Sequence, residues 1–113
     1  MKSKKINILG VEYTITACEE SEEPRLTDCD GFCDETTKEI FVETYDKSKD
    51  DLNAKRNLSV QTNKVKRHEI IHAFLAESGL AENSAWARNE EMVDFFAIQI
   101  PKMCKVFKKA GAL

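Results

Sequence analysis

The sequence predicts an α+β domain: a small antiparallel sheet of two hairpins, then helices. Three observations predict it. Apolar residues alternate with polar ones through the first half of the chain. From about Thr62 the apolar spacing lengthens to that of a helix. Turn-forming residues punctuate the first half and leave long runs of the second half clear.

The elements follow in order. Ile6 and Ile8, then Val11, Tyr13 and Ile15, read as two strands joined at Leu9-Gly10. An acidic, proline-containing loop follows, EESEEPRLTDCD, Glu19 to Asp30. GFCDETTKEIFVE predicts a second hairpin. Phe32 and Cys33 lie on one strand, Ile40-Phe41-Val42 on the other, with a turn near Glu35-Thr36-Thr37. Asp46 to Gln61 is polar and mixed in charge, and reads as irregular chain or a short helical turn. A helix is predicted from Thr62 to Ser78, with Val65, Ile70, Ile71, Phe74 and Leu75 on a wide apolar face. Thr62 or Asn63 can cap its start, and Gly79 can end it. Ser84 can cap a second helix from Ala85 to about Ile100, which Pro101 then breaks or kinks. A last helical segment, Lys102 to Lys109, ends near Gly111.

The 113 residues suffice for one domain, 1–113, and are too few for two ordinary ones. Hydrophobic residues make up 42% of the chain, enough for a core. Charged residues make up 33%, yet the net charge is only −3. That balance fits a soluble globular protein and argues against a nucleic-acid partner, which would call for a strongly basic chain. No apolar run has the length of a membrane span, and MKSKKINILGVEYTI does not read as a signal peptide, so a cytoplasmic location is expected. Cysteines 18, 29, 33 and 104 are then expected as free thiols. Cys29 and Cys33 are loosely spaced for a zinc site, and no histidine near them completes a set.

The chemistry concentrates in KRHEIIHAFL, Lys66 to Leu75, which holds both histidines of the chain. On a helix His68 and His72, at i and i+4, stand on one face a turn apart, and two imidazoles so placed can bind one zinc ion. Glu69 is expected at the rim of that face, in reach of a zinc-bound water. The pattern is H-E-x-x-H, in which zinc lowers the pKa of its water and the glutamate takes the proton as the water attacks a carbonyl. The plain alternative is a helix carrying two unliganded histidines.

A catalytic zinc normally has three protein ligands and an open position. With no histidine left, the third must be a carboxylate or a cysteine. NEEMVDFF, Asn89 to Phe96, supplies Glu90 and Asp94 at i and i+4 on a second helix. If the two helices run antiparallel, Glu90 faces the histidines, with Glu91 as competitor. Asp94 can accept a hydrogen bond from the free ring nitrogen of a ligand histidine, which fixes the tautomer.

At these residues the chain resembles the gluzincin class of zinc metallopeptidases. HEIIH matches their first motif, and NEEMVD matches the N-E-x-x-x-D of thermolysin-like enzymes. The size and the strand-then-helix order look more like the short ImmA/IrrE-type and related phage or prophage metallopeptidase domains, where a phrase close to FFAIQIP (Phe95 to Pro101) follows. The specific match covers Lys66 to about Pro101. The resemblance implies a minimal zincin-like fold, zinc held by His68, His72 and Glu90, Glu69 as general base, and Asp94 behind a histidine. It also implies a sheet strand bordering the cleft, taken as the one around Ile40 to Val42, able to pair with an extended substrate. One departure stands out. Thermolysin-like enzymes use a further histidine to stabilise the oxyanion, and this chain has none; Tyr13, Tyr45 or an arginine would have to serve.

Other residues carry plainer expectations. Trp86 reads as a core or rim residue more readily than as a substrate platform. KVFKK reads as an amphipathic helix end whose lysines suit the helix dipole. Lys64, Lys66 and Arg67 read as side chains snorkelling around the helix start. The function expected is that of a zinc-dependent metalloendopeptidase acting on a protein or peptide, with no nucleic-acid or membrane partner. The rival is a weakly active or inactive zinc-stabilised protein-binding module.

Overall fold

The computed structural model describes residues 2–44 and 58–113. The expected α+β class holds: a four-stranded sheet precedes the helices. β1 (Lys2–Ile8) and β2 (Val11–Cys18) form the first hairpin, with Ile8 opposite Val11. Its two turn residues both take positive φ, Leu9 at 51° and Gly10 at 91°. Such a turn matches the right-handed twist of the flanking strands. The Asn7 side chain fastens it by accepting a hydrogen bond from the Gly10 amide at 2.8 Å. β3 (Gly31–Asp34) and β4 (Glu39–Glu43) form the second hairpin, and the Asp34 carboxylate accepts from the Thr36 amide within the turn.

The sheet is mixed, not antiparallel as expected. Its order is β1-β2-β4-β3, and β2 pairs with β4 in parallel, from Thr14 opposite Glu39 to Cys18 opposite Glu43. The cause is the connection from Glu19 to Asp30. It carries the chain past one strand position before β3 returns, and β4 fills the gap. Leu26, buried on the short 3-10 turn Pro24–Leu26, packs with Cys18 and Phe41 and holds that connection against the sheet. β4 announces its central place in its sequence: Ile40, Phe41 and Val42 are consecutive, apolar and all buried, as in a strand covered on both faces. Each such burial stabilises the fold by about 1.5–3 kcal/mol relative to an exposed side chain.

α1 (Leu58–Glu77) lies on the sheet, and the main core joins Ile8, Tyr13, Ile15, Ile40 and Val42 to Val65 and Ala73 of the helix. Since α1 is already helical at Leu58, Thr62 and Asn63 lie inside it and are not its caps. Gly79, at φ 84°, follows its end as expected. The reading of Asp46 to Gln61 falls mostly outside the described residues; Leu58 to Gln61 belong to α1. α2 (Leu80–Asn83) is a single turn, and Trp86–Arg88 form a 3-10 turn. Trp86 is exposed and so is not a core residue.

α3 (Glu90–Lys109) starts later than the sequence suggested. Its cap is Asn89, whose side chain accepts from the Met92 amide at 2.8 Å, and not Ser84. The acids Glu90 and Glu91 fill its first turn, where the helix dipole favours them. Nor does Pro101 end the helix, which continues to Lys109 and takes in the segment expected to be separate. A proline inside a helix leaves the carbonyl four residues back without its usual donor. Here that carbonyl is Ala97, and Arg67 Nε of α1 donates to it at 2.6 Å. The side chain thought to snorkel thus satisfies the proline and ties α1 to α3. The last turn holds Lys108 and Lys109, as expected of KVFKK, and closes with Gly111 at φ 73°.

Candidate metal centre

α1 places three candidate side chains, His68, Glu69 and His72, by its period alone. Val65, Glu69 and Ala73, at steps of four, form a stripe turned to the sheet, and all three are buried. His68 and His72 form the next stripe, half-buried, with ring centroids 4.9 Å apart. α3 runs antiparallel beside them: Glu90 stands opposite His68 and His72, and Asp94 opposite Lys64 and His68. The Asn89 cap fixes where α3 begins, and so where Glu90 stands.

The donor atoms converge. His68 Nε2 and His72 Nε2 are 3.2 Å apart. Glu90 Oε2 lies 2.9 Å from the first, and Glu90 Oε1 3.0 Å from the second. Ligands about 2.05 Å from a tetrahedral zinc ion sit roughly 3.3 Å from one another. The two nitrogens and the Glu90 carboxylate thus have the spacing of a ligand set. Glu91 is exposed and makes no ion pair with either histidine, so of the two candidates the structure brings Glu90 to the site. Asp94 Oδ1 is 3.4 Å from His68 Nδ1 and 3.7 Å from Lys64 Nζ. It faces the outer nitrogen of His68, where a hydrogen bond was expected, at a distance too long for a tight one.

Glu69 departs from expectation in its burial. It is 6% exposed, not at the rim, and its Oε2 has no hydrogen-bond partner among the described residues. One of its oxygens and the two histidine nitrogens nevertheless lie within 4.8 Å of one another, a group able to hold a metal ion. Two carboxylates therefore compete for the role of ligand. Glu90 is the nearer of the two, with its two oxygens at contact distance from both nitrogens. Burial raises the Glu69 pKa above the usual glutamate range, against the opposing pull of His72 and His68.

The reason Glu69 can stand here is Gly31. A methyl group at Gly31 would come 2.7 Å from Val65 Cγ1, 3.0 Å from the Phe41 carbonyl oxygen and 3.3 Å from Glu69 Cγ. The missing side chain lets α1 settle against β3. Sequence reasoning passed over this residue, although a glycine at the start of a strand is a recognised sign of close backbone approach.

These residues open into a cavity of about 800 Å³. One wall is Cys29 to Cys33, and the other holds Ala81, Glu82, Ala87 and Arg88. β3 is an edge strand and borders the cavity. β4, the strand expected there, is enclosed between β2 and β3 and offers no free edge. Cys29 and Cys33 are free thiols, as are Cys18 and Cys104. Burial, then the charge of Glu69, pushes Cys33 up to about 12. Of the residues considered for the oxyanion, Tyr13 is out of place: its hydroxyl donates to Glu77 Oε1 at 2.6 Å, two turns of α1 away from Glu69. Tyr45 lies outside the described residues. Arg88 lines the cavity.

Comparison with family models, with curated proteins and with solved structures found no match to this chain. The described residues include no helix long and apolar enough to cross a membrane.

Proposed function

We propose that the chain is a zinc-dependent metalloendopeptidase that hydrolyses a peptide bond in a protein substrate, of the gluzincin type and nearest in build to the small ImmA/IrrE-like and phage domains. The observation that carries this reading is Glu69: a carboxylate held in an apolar stripe beside two histidines, with one oxygen unpartnered. A buried acid of this kind costs stability, commonly about 1–3 kcal/mol for the missing hydrogen bond alone. A metal site that only braced the fold would gain nothing from it. The donor chemistry, two imidazoles and a carboxylate, suits zinc.

Zinc, when bound, supplies Lewis acidity: it makes a water easier to deprotonate and a carbonyl easier to attack. The chain supplies the rest. His68, His72 and Glu90 hold the ion, and Asp94 with Lys64 steadies the His68 ring. Glu69 takes a proton on its carboxylate and returns it to the departing amine. Its raised pKa brings it nearer the working range of a general acid–base group. β3, at the edge of the sheet among the described residues, can receive an extended peptide through main-chain hydrogen bonds. The rival reading, a zinc-stabilised binding module without turnover, draws on the absence of a third histidine for the oxyanion.

Glu69→Gln separates the two. The variant keeps the shape and removes the base. It should retain about one zinc per chain and lose peptide cleavage by at least about a hundredfold. The measurement compares new N-termini in a host lysate treated with zinc-loaded wild type or variant. Identical termini, with zinc confirmed in both, would favour the binding module.

A further inference from the structure

We infer that Arg88 is the group that stabilises the negative charge developing on the substrate carbonyl oxygen, an inference that rests on the peptidase reading. The hydrolysis needs such a donor. Water adds its oxygen to the carbonyl carbon, its proton passes to Glu69, and the carbonyl π pair moves onto oxygen. When that pair returns, the C–N bond breaks and the Glu69 proton leaves with the amine. Both histidines already face Glu90, so neither is free to serve the oxyanion.

Among the described residues, the other cation that lines the cavity is engaged, as are two cations beyond it. Lys64 pairs with Asp94, Arg67 donates to the Ala97 carbonyl, and Arg25 pairs with Glu23 and Asp34. Arg88 is different. It lines the cavity with His68, Glu69 and Glu90, and among the described residues it makes no ion pair, although Glu35, Glu82 and Glu90 line the same cavity. Its Nη1 donates to the Ala81 carbonyl at 2.9 Å, which steadies one edge of the guanidinium and leaves the other donors of the fork free. It stands two residues before Glu90, and the Asn89 cap between them fixes its backbone relative to the ligand carboxylate. Arg88 is exposed at the cavity wall, and its guanidinium, held by one bond and unpaired among the described residues, is a donor available to charge that appears only during reaction.

The test uses the full zinc-loaded chain and two probes read by calorimetry. Acetohydroxamate chelates zinc without a tetrahedral anion. A phosphinic dialanine, prepared as C-terminal acid and as amide, carries that anion. Arg88→Gln should weaken both phosphinic forms by at least about tenfold and leave acetohydroxamate unchanged, and Arg88→Lys should recover part of the loss. A purely structural Arg88, holding only α2, would not separate the two probes. Four results overturn the assignment: equal phosphinic affinity in wild type and Arg88→Gln; parallel loss of both probes; a loss confined to the free acid, which would make Arg88 a clamp for a terminal carboxylate; or wild type that binds acetohydroxamate and no phosphinic form. Wild type that binds neither probe would bring down the peptidase reading, and this inference with it.

Discussion

Glu69 and Glu77 stand on the same helix about two turns apart, and the fold treats them in opposite ways. Glu77 Oε1 accepts from the Lys38 ammonium at 2.6 Å and from the Tyr13 hydroxyl at 2.6 Å. Those bonds, Lys38 first, hold its carboxyl below the usual glutamate range. Glu69 has an unpartnered oxygen, and burial holds it above that range. The sheet residue beneath makes the difference. Under Glu77 lie Tyr13 and Lys38, which offer donors; against Glu69 lies Gly31, which offers only room. One carboxylate is tied into the structure. The other is buried beside two histidines, with one oxygen left without a partner among the described residues.

The largest effects should come from the centre beside Glu69. His68→Ala or His72→Ala should each remove stoichiometric zinc, read by metal analysis of protein purified without chelator. The loss should exceed the 10- to 100-fold typical of outer-shell changes. Zinc retained in both variants would make the histidine pair an ordinary feature of a helix face. Glu90→Ala should lower zinc affinity nearly as far, while Glu91→Ala should change it little, because adjacent helix positions project about 100° apart. The reverse order would put the third ligand on the wrong residue.

What the sequence disclosed follows from which interactions are local. His68 and His72 on one face, Glu90 opposite them and Asp94 a turn beyond depend on helix period and an antiparallel pair, and the structure has each of these. The Leu9-Gly10 turn is equally local. The failures are non-local. Nothing in Ile40-Phe41-Val42 alone says that β4 inserts beside β2, because that depends on how far Glu19 to Asp30 travels. Pro101 looked like a helix end because the donor that replaces its lost hydrogen bond, Arg67, is thirty-four residues earlier. Ser84 looked like a cap because serine suits that position, but Asn89 five residues on offers the same chemistry and is the residue that caps α3.

A middling effect should come from the floor beneath Glu69. Gly31→Ala brings a methyl group to 2.7 Å from Val65 Cγ1 and 3.0 Å from a backbone oxygen. The Val65 side chain or the helix must shift, at a cost of about 1–3 kcal/mol. Chemical denaturation would measure the loss, and zinc binding should weaken as α1 lifts from β3. Full stability in the variant would mean that the close approach is not what seats Glu69.

The smallest effects belong to Glu77, and their pH dependence sharpens the contrast. Glu77 has a folded-state pKa below its unfolded value, so it adds stability that is fully present above the ordinary glutamate value of about 4.3. That contribution disappears as pH falls through the lowered folded value. Glu77→Gln should therefore be less stable than wild type at neutral pH, and the gap should close in acid. Tyr13→Phe should cost about 0.5–1.5 kcal/mol at neutral pH, the worth of one hydrogen bond. Tyr13 titrates the other way: burial and Glu77 raise its pKa, so its hydroxyl helps the fold below pH 10 or so and less as alkali ionises the unfolded chain. The Tyr13→Phe gap should thus narrow at high pH, whereas the Glu77→Gln gap narrows at low pH. Urea midpoints of the metal-free proteins across pH 3 to 11 would show both. Flat gaps at both ends would mean that the tie at Glu77 is too solvated to matter, and the contrast with Glu69 would then rest on burial alone.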